Sequence, residues 1–249
     1  MSARVEIRGV EFAYPDGKRA LEGVDLDIGA GERVAILGPN GAGKTTLALH
    51  LNGILEPHAG SISVGGLQVV EQNFLAVRRM VGLVFQDPND QLFMPSVRED
   101  VAFGPANLGI SGEELETRVD AALDVVAGTE FADRPPHHLS GGEKRRAALA
   151  TVLAMAPDVL VLDEPSSGLD PAGRRELIET LAGLPMTQLI LTHDLPLALE
   201  LCGRAVIMNQ GRVVADDTTR ALLGDDDLLA ANRLEPPYSF DRAKDSPRR

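Results

Sequence analysis

Apolar and polar positions along the chain follow two periods, one typical of strands and one typical of helices. Residues 3–8 and 22–28 alternate polar with apolar side chains, which predicts two antiparallel strands on either side of the Pro-Asp-Gly turn at 15–17. Continuous apolar runs predict buried strands of a parallel sheet at 33–37, 81–85, 159–163 and 188–192. The pattern therefore predicts an α/β fold with a mainly parallel sheet and an antiparallel N-terminal β-subdomain.

Helices and shorter strands are expected between these runs. The spacing of apolar residues predicts helices over 45–55, 142–156, 171–183 and 195–203. Short strands are expected at 60–64, 204–208 and 212–215, and Gly65-Gly66 marks a hairpin turn after the first of them.

The pattern changes between residues 88 and 138. This part reads as helical throughout, with breaks expected at Pro95, Pro105 and Gly109. We therefore expect one domain over 1–231, with a core formed by 1–87 and 139–231, an inserted helical subdomain at about 88–138, and a polar, proline-rich, loosely ordered tail at 232–249.

A glycine-rich segment joins the predicted strand at 33–37 to the helix that follows it. Residues 38–45 read GPNGAGKT and match the phosphate-loop pattern G-x-x-x-x-G-K-[ST] at every fixed position. Backbone N–H groups of such a loop and the positive end of the helix bind phosphate, Lys44 reaches the β- and γ-phosphates, and Thr45 binds Mg²⁺. The alternative is a simple strand-to-helix turn. The residues expected to bind nucleotide here are Gly38, Pro39, Asn40, Gly41, Ala42, Gly43, Lys44, Thr45 and Thr46.

Two carboxylates follow the apolar run at 159–163. Asp163 and Glu164 stand at the carboxyl end of a predicted parallel strand, which is where open α/β sheets bind ligands. We expect Asp163 to bind Mg²⁺ and Glu164 to act as general base toward a water molecule. The alternative is an acidic pair that only ends a strand.

A third motif, LSGGEKRR at 139–146, lies about twenty residues before the acidic strand. Ser140 is a suitable N-cap for the helix that follows, and the helix start is a second anion site. This order of motifs resembles the ATP-binding cassette superfamily, whose LSGGQ signature the chain matches at four of five positions. The resemblance extends over about residues 3–225 and implies a P-loop NTPase core with an inserted helical subdomain.

The resemblance implies roles for further residues, with ATP and Mg²⁺ as the cofactors. It implies that Tyr14 stacks on adenine, Gln86 senses Mg²⁺ and the attacking water, Asp170 contacts the second subunit of a dimer, and His193 holds the γ-phosphate. The signature residues Ser140, Gly141, Gly142 and Glu143 would contact ATP bound to the other subunit, in a homodimer or a heterodimer. Glu143 replaces the usual glutamine, and a carboxylate beside ATP would weaken that contact.

Composition and net charge limit the classes of partner that the chain can bind. The 249 residues carry 37 acidic against 24 basic side chains, a net charge of −13, which argues against broad nucleic-acid binding. The single cysteine, Cys202, excludes an internal disulfide and fits a reducing compartment. No stretch approaches the roughly 18 consecutive apolar residues of a membrane helix, so a role at the cytoplasmic face of a membrane requires a partner.

The segment after Gln86 resembles the ATPases of energy-coupling-factor importers, especially the cobalt and nickel type. That resemblance implies contact with a multi-span membrane subunit through about Asp90–Phe93, and Leu92 and Phe93 are apolar residues suited to anchor it. The alternative is that these residues pack inside the helical subdomain. The main hypothesis is an importer ATPase for cobalt or nickel ions or a vitamin. The alternatives are a mechanical clamp in DNA repair or translation, and a P-loop kinase for a small metabolite.

Overall fold

The computed structural model describes residues 2–237 and residue 240. In chain order the strands are β1 Val5–Ala13, β2 Arg19–Ile28, β3 Arg33–Leu37, β4 Ala59–Val64, β5 Leu67–Gln68, β6 Val81–Val84, β7 Val159–Asp163, β8 Thr187–Thr192, β9 Arg204–Asn209 and β10 Arg212–Thr218. The α-helices are α1 Lys44–Leu51, α2 Phe74–Met80, α3 Val97–Asn107, α4 Glu113–Val125, α5 Gly141–Leu153, α6 Pro171–Gly183, α7 Leu195–Leu201, α8 Thr219–Leu223 and α9 Asp226–Ala231. Short 3₁₀ turns occur at 71–73, 88–90, 129–131 and 136–138.

Two sheets form the framework. The smaller is antiparallel with strand order β2-β1-β4-β5, and the larger has strand order β10-β9-β3-β8-β7-β6. Neighbouring strands of the larger sheet are parallel from β9 to β6, and β10 is an antiparallel edge strand. The predicted fold class, a mainly parallel sheet with an antiparallel N-terminal β-subdomain, is confirmed.

Strand register brings three segments of the sequence to one edge of the larger sheet. Leu37 at the end of β3 pairs with Thr192 at the end of β8, and Asp163 at the end of β7 pairs with Leu191. Carboxyl ends of parallel strands meet at the same edge. The residues that follow β3, β7 and β8 therefore surround one place.

The larger sheet separates two apolar cores because successive side chains of a strand point to opposite faces. Val34 and Ile36 of β3 pack toward the smaller sheet and α1, whereas Ala35 and Leu37 pack toward the helices on the other face. All four side chains are fully buried. Burial on both faces explains why β3 reads as a continuous apolar run.

The predicted helical character of residues 88–138 is confirmed, with α3 and α4 packed on each other and on α5. A reciprocal cap starts α3, in which the Glu99 N–H donates to Ser96 Oγ and the Ser96 N–H donates to Glu99 Oε2. The break predicted at Pro105 is wrong. Pro105 is buried in the last turn of α3, where the missing N–H costs only one helical hydrogen bond.

Several predicted bounds differ from the structure. The helix predicted over 45–55 ends at Leu51 because Gly53 adopts a left-handed φ of 67°. The helices predicted over 142–156 and 195–203 end at Leu153 and Leu201, and β10 continues to Thr218. The pattern also missed α2, α8 and α9, which have five to seven residues each. So short a helix contains too few turns to show a periodic pattern.

The C-terminal segment is described as far as residue 237 and at residue 240. Asn232 accepts a hydrogen bond from the Asn209 amide at 2.9 Å, and Leu234 is buried against the helical core. Residues 238, 239 and 241–249 of the tail predicted at 232–249 lie outside the described residues. Within 2–237, no helix has the length and apolar character that crossing a bilayer requires.

Candidate functional site

The phosphate loop, residues 38–45, contributes residues 40–45 to the lining of a cleft of about 310 Å³ at the edge of the larger sheet. Gly43 has a φ of 104°, and a Cβ there would lie 2.5 Å from the Ala20 carbonyl oxygen of β2. Gly41 has a φ of 81° and faces open space. The turn between β9 and β10 also holds the loop, since the Gly211 N–H donates to Ala42 O at 2.9 Å. Only glycine fits position 43 without strain.

Lys44 is the first residue of α1 and is buried, with 7% of its side chain exposed. Its Nζ donates to Gly38 O at 2.8 Å and lies 3.5 Å from Glu164 Oε1. The start of α1 carries no acidic residue and no side-chain cap, so its N–H groups remain directed at the cleft. The loop therefore combines a helix N-terminus with a buried cation, the arrangement that binds phosphate.

Thr45 and Asp163 meet across the cleft. Thr45 Oγ1 donates to Asp163 Oδ2 at 2.6 Å, and Asp163 Oδ1 is buried without a hydrogen-bond partner in the described part of the chain. Burial raises the pKa of Asp163 and the neighbouring Glu164 raises it further, while Thr45 and Lys44 oppose the shift. An unpartnered carboxylate oxygen beside a threonine hydroxyl fits the oxygen ligation that Mg²⁺ prefers.

Residues 2–237 and 240 contain no group of three or more His, Cys, Asp or Glu side chains that could hold a metal ion alone. The Thr45 hydroxyl and the Asp163 carboxylate supply oxygen atoms of the kind that Mg²⁺ prefers.

Glu164 follows β7 and has 5% of its surface exposed. Its Oε2 accepts hydrogen bonds from Thr192 Oγ1 at 3.1 Å and from the His193 N–H at 3.3 Å, and His193 Nδ1 lies 3.0 Å away. Its Oε1 accepts no hydrogen bond from the residues that the structure describes. One carboxylate oxygen is thus held in place while the other remains able to accept a proton. Thr192 was not predicted as a site residue, and its position as the last residue of β8 was the available signal.

Gln86 and Tyr14 line the same cleft. Gln86 is exposed just after β6, and Tyr14 donates to or accepts from Thr46 Oγ1 at 3.0 Å. The Tyr14 ring packs edge-on against Phe12, with 5.1 Å between centroids. The structure therefore brings together the loop, Asp163, Glu164, Gln86 and Tyr14.

The signature, residues 139–143, forms the start of α5. The Glu143 N–H donates to Ser140 Oγ at 3.3 Å, and the Ser140 N–H donates to Glu143 Oε2 at 2.8 Å. Glu143 Oε1 accepts from Arg134 at 2.9 Å. The pKa of Glu143 is lowered by the hydrogen bonds from Ser140 and by Arg134. The carboxylate expected to repel ATP therefore caps its own helix and pairs with a guanidinium group.

Ser140 and Gly142 line a different cleft, of about 560 Å³, together with Asp170. Asp170 caps α6 by accepting from the Gly173 N–H at 2.7 Å. No signature residue lines the cleft of the phosphate loop. Within one chain, the signature and the phosphate loop thus line two separate clefts.

The segment Asp90–Phe93, expected to contact a membrane subunit, has both buried and exposed side chains. Gln91 accepts from the Phe85 N–H at 3.2 Å and donates to Ala148 O at 2.7 Å, and Leu92 is buried in the helical core. The prediction that all of Asp90–Phe93 forms a contact surface is therefore wrong for these two residues, because their side chains fasten the segment to α5. Asp90 is exposed, and Phe93 is 62% exposed.

The ABC transporter family model matches residues 21–167, from β2 to three residues beyond Glu164. The chain belongs to the ABC transporter family. It is an ATP-binding subunit that hydrolyses ATP.

Close relatives support the assignment over almost the whole chain. A putative ABC transporter ATP-binding protein of Streptomyces coelicolor is 62% identical over 96% of this chain and 92% of its own length. The energy-coupling factor transporter ATP-binding protein EcfA of Methanothermobacter thermautotrophicus is 45% identical over 95% of this chain and 78% of its own.

Solved structures of ABC ATPases share the architecture. The cbiO1 protein from Clostridium perfringens, described as part of the ABC transporter complex cbiONQ, superposes with a TM-score of 0.80 at 37% identity, covering 91% of this chain and 93% of its own. The dimeric ATP-binding cassette MJ0796 bound to ADP and Pi gives 0.79 at 28% identity, covering 86% and 98%. These relatives favour a transporter ATPase of the energy-coupling-factor type over a clamp or a metabolite kinase.

Proposed function

We propose that this ABC transporter subunit hydrolyses ATP in a composite site, built from the phosphate-loop cleft of one subunit and the signature of another. The observation that carries the proposal is the separation of the two surfaces, since Ser140 and Gly142 line a cleft that contains no phosphate-loop residue. A second copy of the chain, or a close relative, would supply the missing half. The dimeric MJ0796 cassette supports this arrangement.

Within one half-site the roles follow from the contacts. The Lys44 ammonium and the start of α1 would bind the phosphates, and Thr45 and Asp163 would hold Mg²⁺, which neutralises phosphate charge when bound. The Glu164 carboxylate would accept the proton of the attacking water, with its Oε2 fixed by Thr192 and by the His193 N–H.

The remaining residues of the half-site recognise nucleotide or water. His193 would contact the γ-phosphate, because its side chain is 62% exposed and lies beside Glu164. Gln86 lies at the rim of the cleft, where it could orient the attacking water, and Tyr14 would stack on the adenine ring.

Trans-complementation tests the composite site. Lys44→Ala removes phosphate binding but keeps the signature, whereas Ser140→Arg blocks the signature but keeps the phosphate loop. Each variant alone should be inactive, and a mixture should regain up to about a quarter of the wild-type rate, because half of the dimers hold one intact site of two. A mixture as inactive as its components would rule out a site shared between subunits.

Glu164→Gln tests the assignment of the base. We expect ATP binding to persist, turnover to fall by at least 10²-fold, and ATP to trap a dimer visible by light scattering. Turnover at the wild-type rate would remove Glu164 from the role of base.

We propose further that the subunit powers an importer of the energy-coupling-factor type for cobalt or nickel ions or a vitamin, at the cytoplasmic face of the membrane. The ATPase would contact a multi-span membrane subunit through Asp90, Phe93 and the adjoining Phe103. The two rings lie edge to face with centroids 5.0 Å apart and are 62% and 44% exposed. Aromatic residues, Phe among them, are enriched at protein interfaces.

Co-purification tests this surface. Phe93→Ser should abolish retention of the ATPase by the detergent-solubilised membrane subunit while its own nucleotide binding remains. Leu75→Ser is the matched control, since Leu75 is a 66% exposed apolar residue on α2. Equal retention of the two variants would exclude the aromatic pair as the contact.

A further inference from the structure

Arg145 connects the signature helix α5 with the catalytic cleft of its own chain. It lies five residues after Ser140, and its Nη1 donates to the main-chain oxygen of Glu164 at 2.9 Å. Its Nη2 donates to the main-chain oxygen of Gln86 at 3.4 Å. One side chain thus holds the backbone of two residues that face the nucleotide cleft. The guanidinium fork suits this task, because it presents two N–H donors in a fixed plane.

The backbone that Arg145 holds at Glu164 is strained. Glu164 has a φ of 48°, in the left-handed region that costs a residue other than glycine on the order of 1 kcal/mol. Its N–H donates to Leu191 O at 2.8 Å, so β8 holds one side of the residue and Arg145 holds the other. Without the guanidinium group, the Glu164 carbonyl would lose a charge-assisted hydrogen bond and keep only the one from the Ser167 N–H at 3.1 Å, so the main chain would be less constrained.

Further contacts fasten α5 to the segment that follows β6. Lys144 Nζ donates to Asn89 Oδ1 at 2.9 Å, one residue before Arg145 on the helix. Gln91 donates to Ala148 O at 2.7 Å, one turn after Arg145. Residues 86–91 and the first two turns of α5 therefore form one connected unit, and Arg145 extends that unit to Glu164.

We propose that Arg145 is a positioning residue for hydrolysis, which sets the backbone of Glu164 from the signature helix and uses the main-chain oxygen of Gln86 as its second anchor. The inference rests on the proposed function, in which Glu164 is the base and the signature contacts the nucleotide of the other subunit. In the dimer, α5 contacts the nucleotide bound to the other subunit. Through Arg145 the same helix would also hold Glu164, the base that acts on the nucleotide bound to its own subunit. Arg145 would thereby couple the two composite sites of a dimer.

The test compares Arg145→Ala and Arg145→Lys with the wild type in steady-state and single-turnover assays. We expect Arg145→Ala to lower kcat by about 10- to 100-fold, because a displacement near 1 Å can cost about 10² in rate. The Kd of the monomeric subunit for ATP should change less than threefold, since Arg145 lines the signature cleft and not the phosphate-loop cleft. Arg145→Lys retains the charge and can satisfy one carbonyl, so its kcat should lie between the two.

Arg118→Ala is the matched control. It removes the same residue type and the same charge from α4, where Arg118 pairs only with Glu114 at 3.0 Å among the contacts described. Its kcat should equal that of the wild type. Thermal unfolding of all variants shows whether the folded fraction accounts for any loss, and the soluble Arg145→Lys variant keeps the test valid if Arg145→Ala does not fold.

A double variant separates positioning from a general structural effect. If Arg145 acts through Glu164, then Arg145→Ala should slow the wild-type enzyme but leave the residual single-turnover rate of Glu164→Gln unchanged within twofold. An equal loss in both backgrounds would overturn the proposal, as would a kcat of Arg145→Ala within twofold of wild type. Normal turnover by Glu164→Gln alone would instead overturn the assignment of the base, which is a distinguishable outcome.

Discussion

Replacing Lys44 by alanine tests the electrostatics of the cleft before any nucleotide binds. Lys44 Nζ lies 3.5 Å from Glu164 Oε1, and each side chain is 7% exposed. Glu164 Oε1 accepts no hydrogen bond from the described residues, so the substitution strands a buried carboxylate next to Asp163. It also leaves the Gly38 carbonyl without its donor at 2.8 Å.

The expected loss can be set from these contacts. Removing one member of a buried ion pair costs about 3–5 kcal/mol because an uncompensated charge remains. Glu164 keeps hydrogen bonds to its Oε2 from Thr192 and His193, which places the estimate at the lower end, about 3 kcal/mol. One kcal/mol corresponds to about 2–4 °C for a chain of this size, so Tm should fall by about 6–12 °C.

Urea unfolding of four proteins without nucleotide or metal measures the effect: wild type, Lys44→Ala, Glu164→Gln and the double variant. In the Glu164→Gln background the buried charge is absent, and Lys44→Ala should cost only about 1 kcal/mol for the lost hydrogen bond to Gly38. The coupling energy between positions 44 and 164 should therefore be about 2 kcal/mol. Costs that agree within about 0.5 kcal/mol in the two backgrounds would refute the ion pair.

Three further outcomes follow from the structure. Gly43→Ala should abolish ATP binding in a fluorescent-nucleotide titration and lower stability by about 2–3 kcal/mol, because its Cβ would lie 2.5 Å from Ala20 O; retained binding would contradict this. Burial raises the pKa of the Cys202 thiol to about 12, so a disulfide reagent at pH 8 should label the native chain negligibly and one thiol per chain in denaturant. Arg134→Ala should weaken ATP-dependent dimerisation by exposing the Glu143 carboxylate, and adding Glu143→Gln should restore it in light scattering; no rescue would exclude the charge as the cause.

The parts of the fold that the sequence predicted best are those with one strong signal. Strands β3 and β7 and helix α6 have the predicted bounds, because a continuous apolar run specifies a strand buried on both faces and Asp170-Pro171 specifies a helix start. The site residues around the phosphate loop also meet in one cleft, since motif order along parallel strands fixes which carboxyl ends are neighbours.

The parts that escaped prediction depend on tertiary contacts. Leu92 reads as an interface anchor, yet it packs into the helical core, and periodicity over one turn cannot separate these two roles. The paired state of Glu143 could not be foreseen either, because Arg134 lies nine residues away and reaches it only through the turn at 136–138. The backbone contacts of Arg145 likewise have no sequence signal.

The hydrogen bond between the phosphate loop and the turn joining β9 to β10 limits where a peptide can be inserted into this chain. Hairpin tips usually tolerate inserted peptides, and the turn between β9 and β10 is the kind of place where an affinity tag would be put. Here Gly211 joins Ala42 to Glu22 through its N–H and its carbonyl, at 2.9 and 2.8 Å. An insertion at this turn should therefore disturb nucleotide binding by the phosphate loop, although Ala42 lies 169 residues earlier in the chain (211 − 42). Gly66, whose surroundings are open, offers a neutral site.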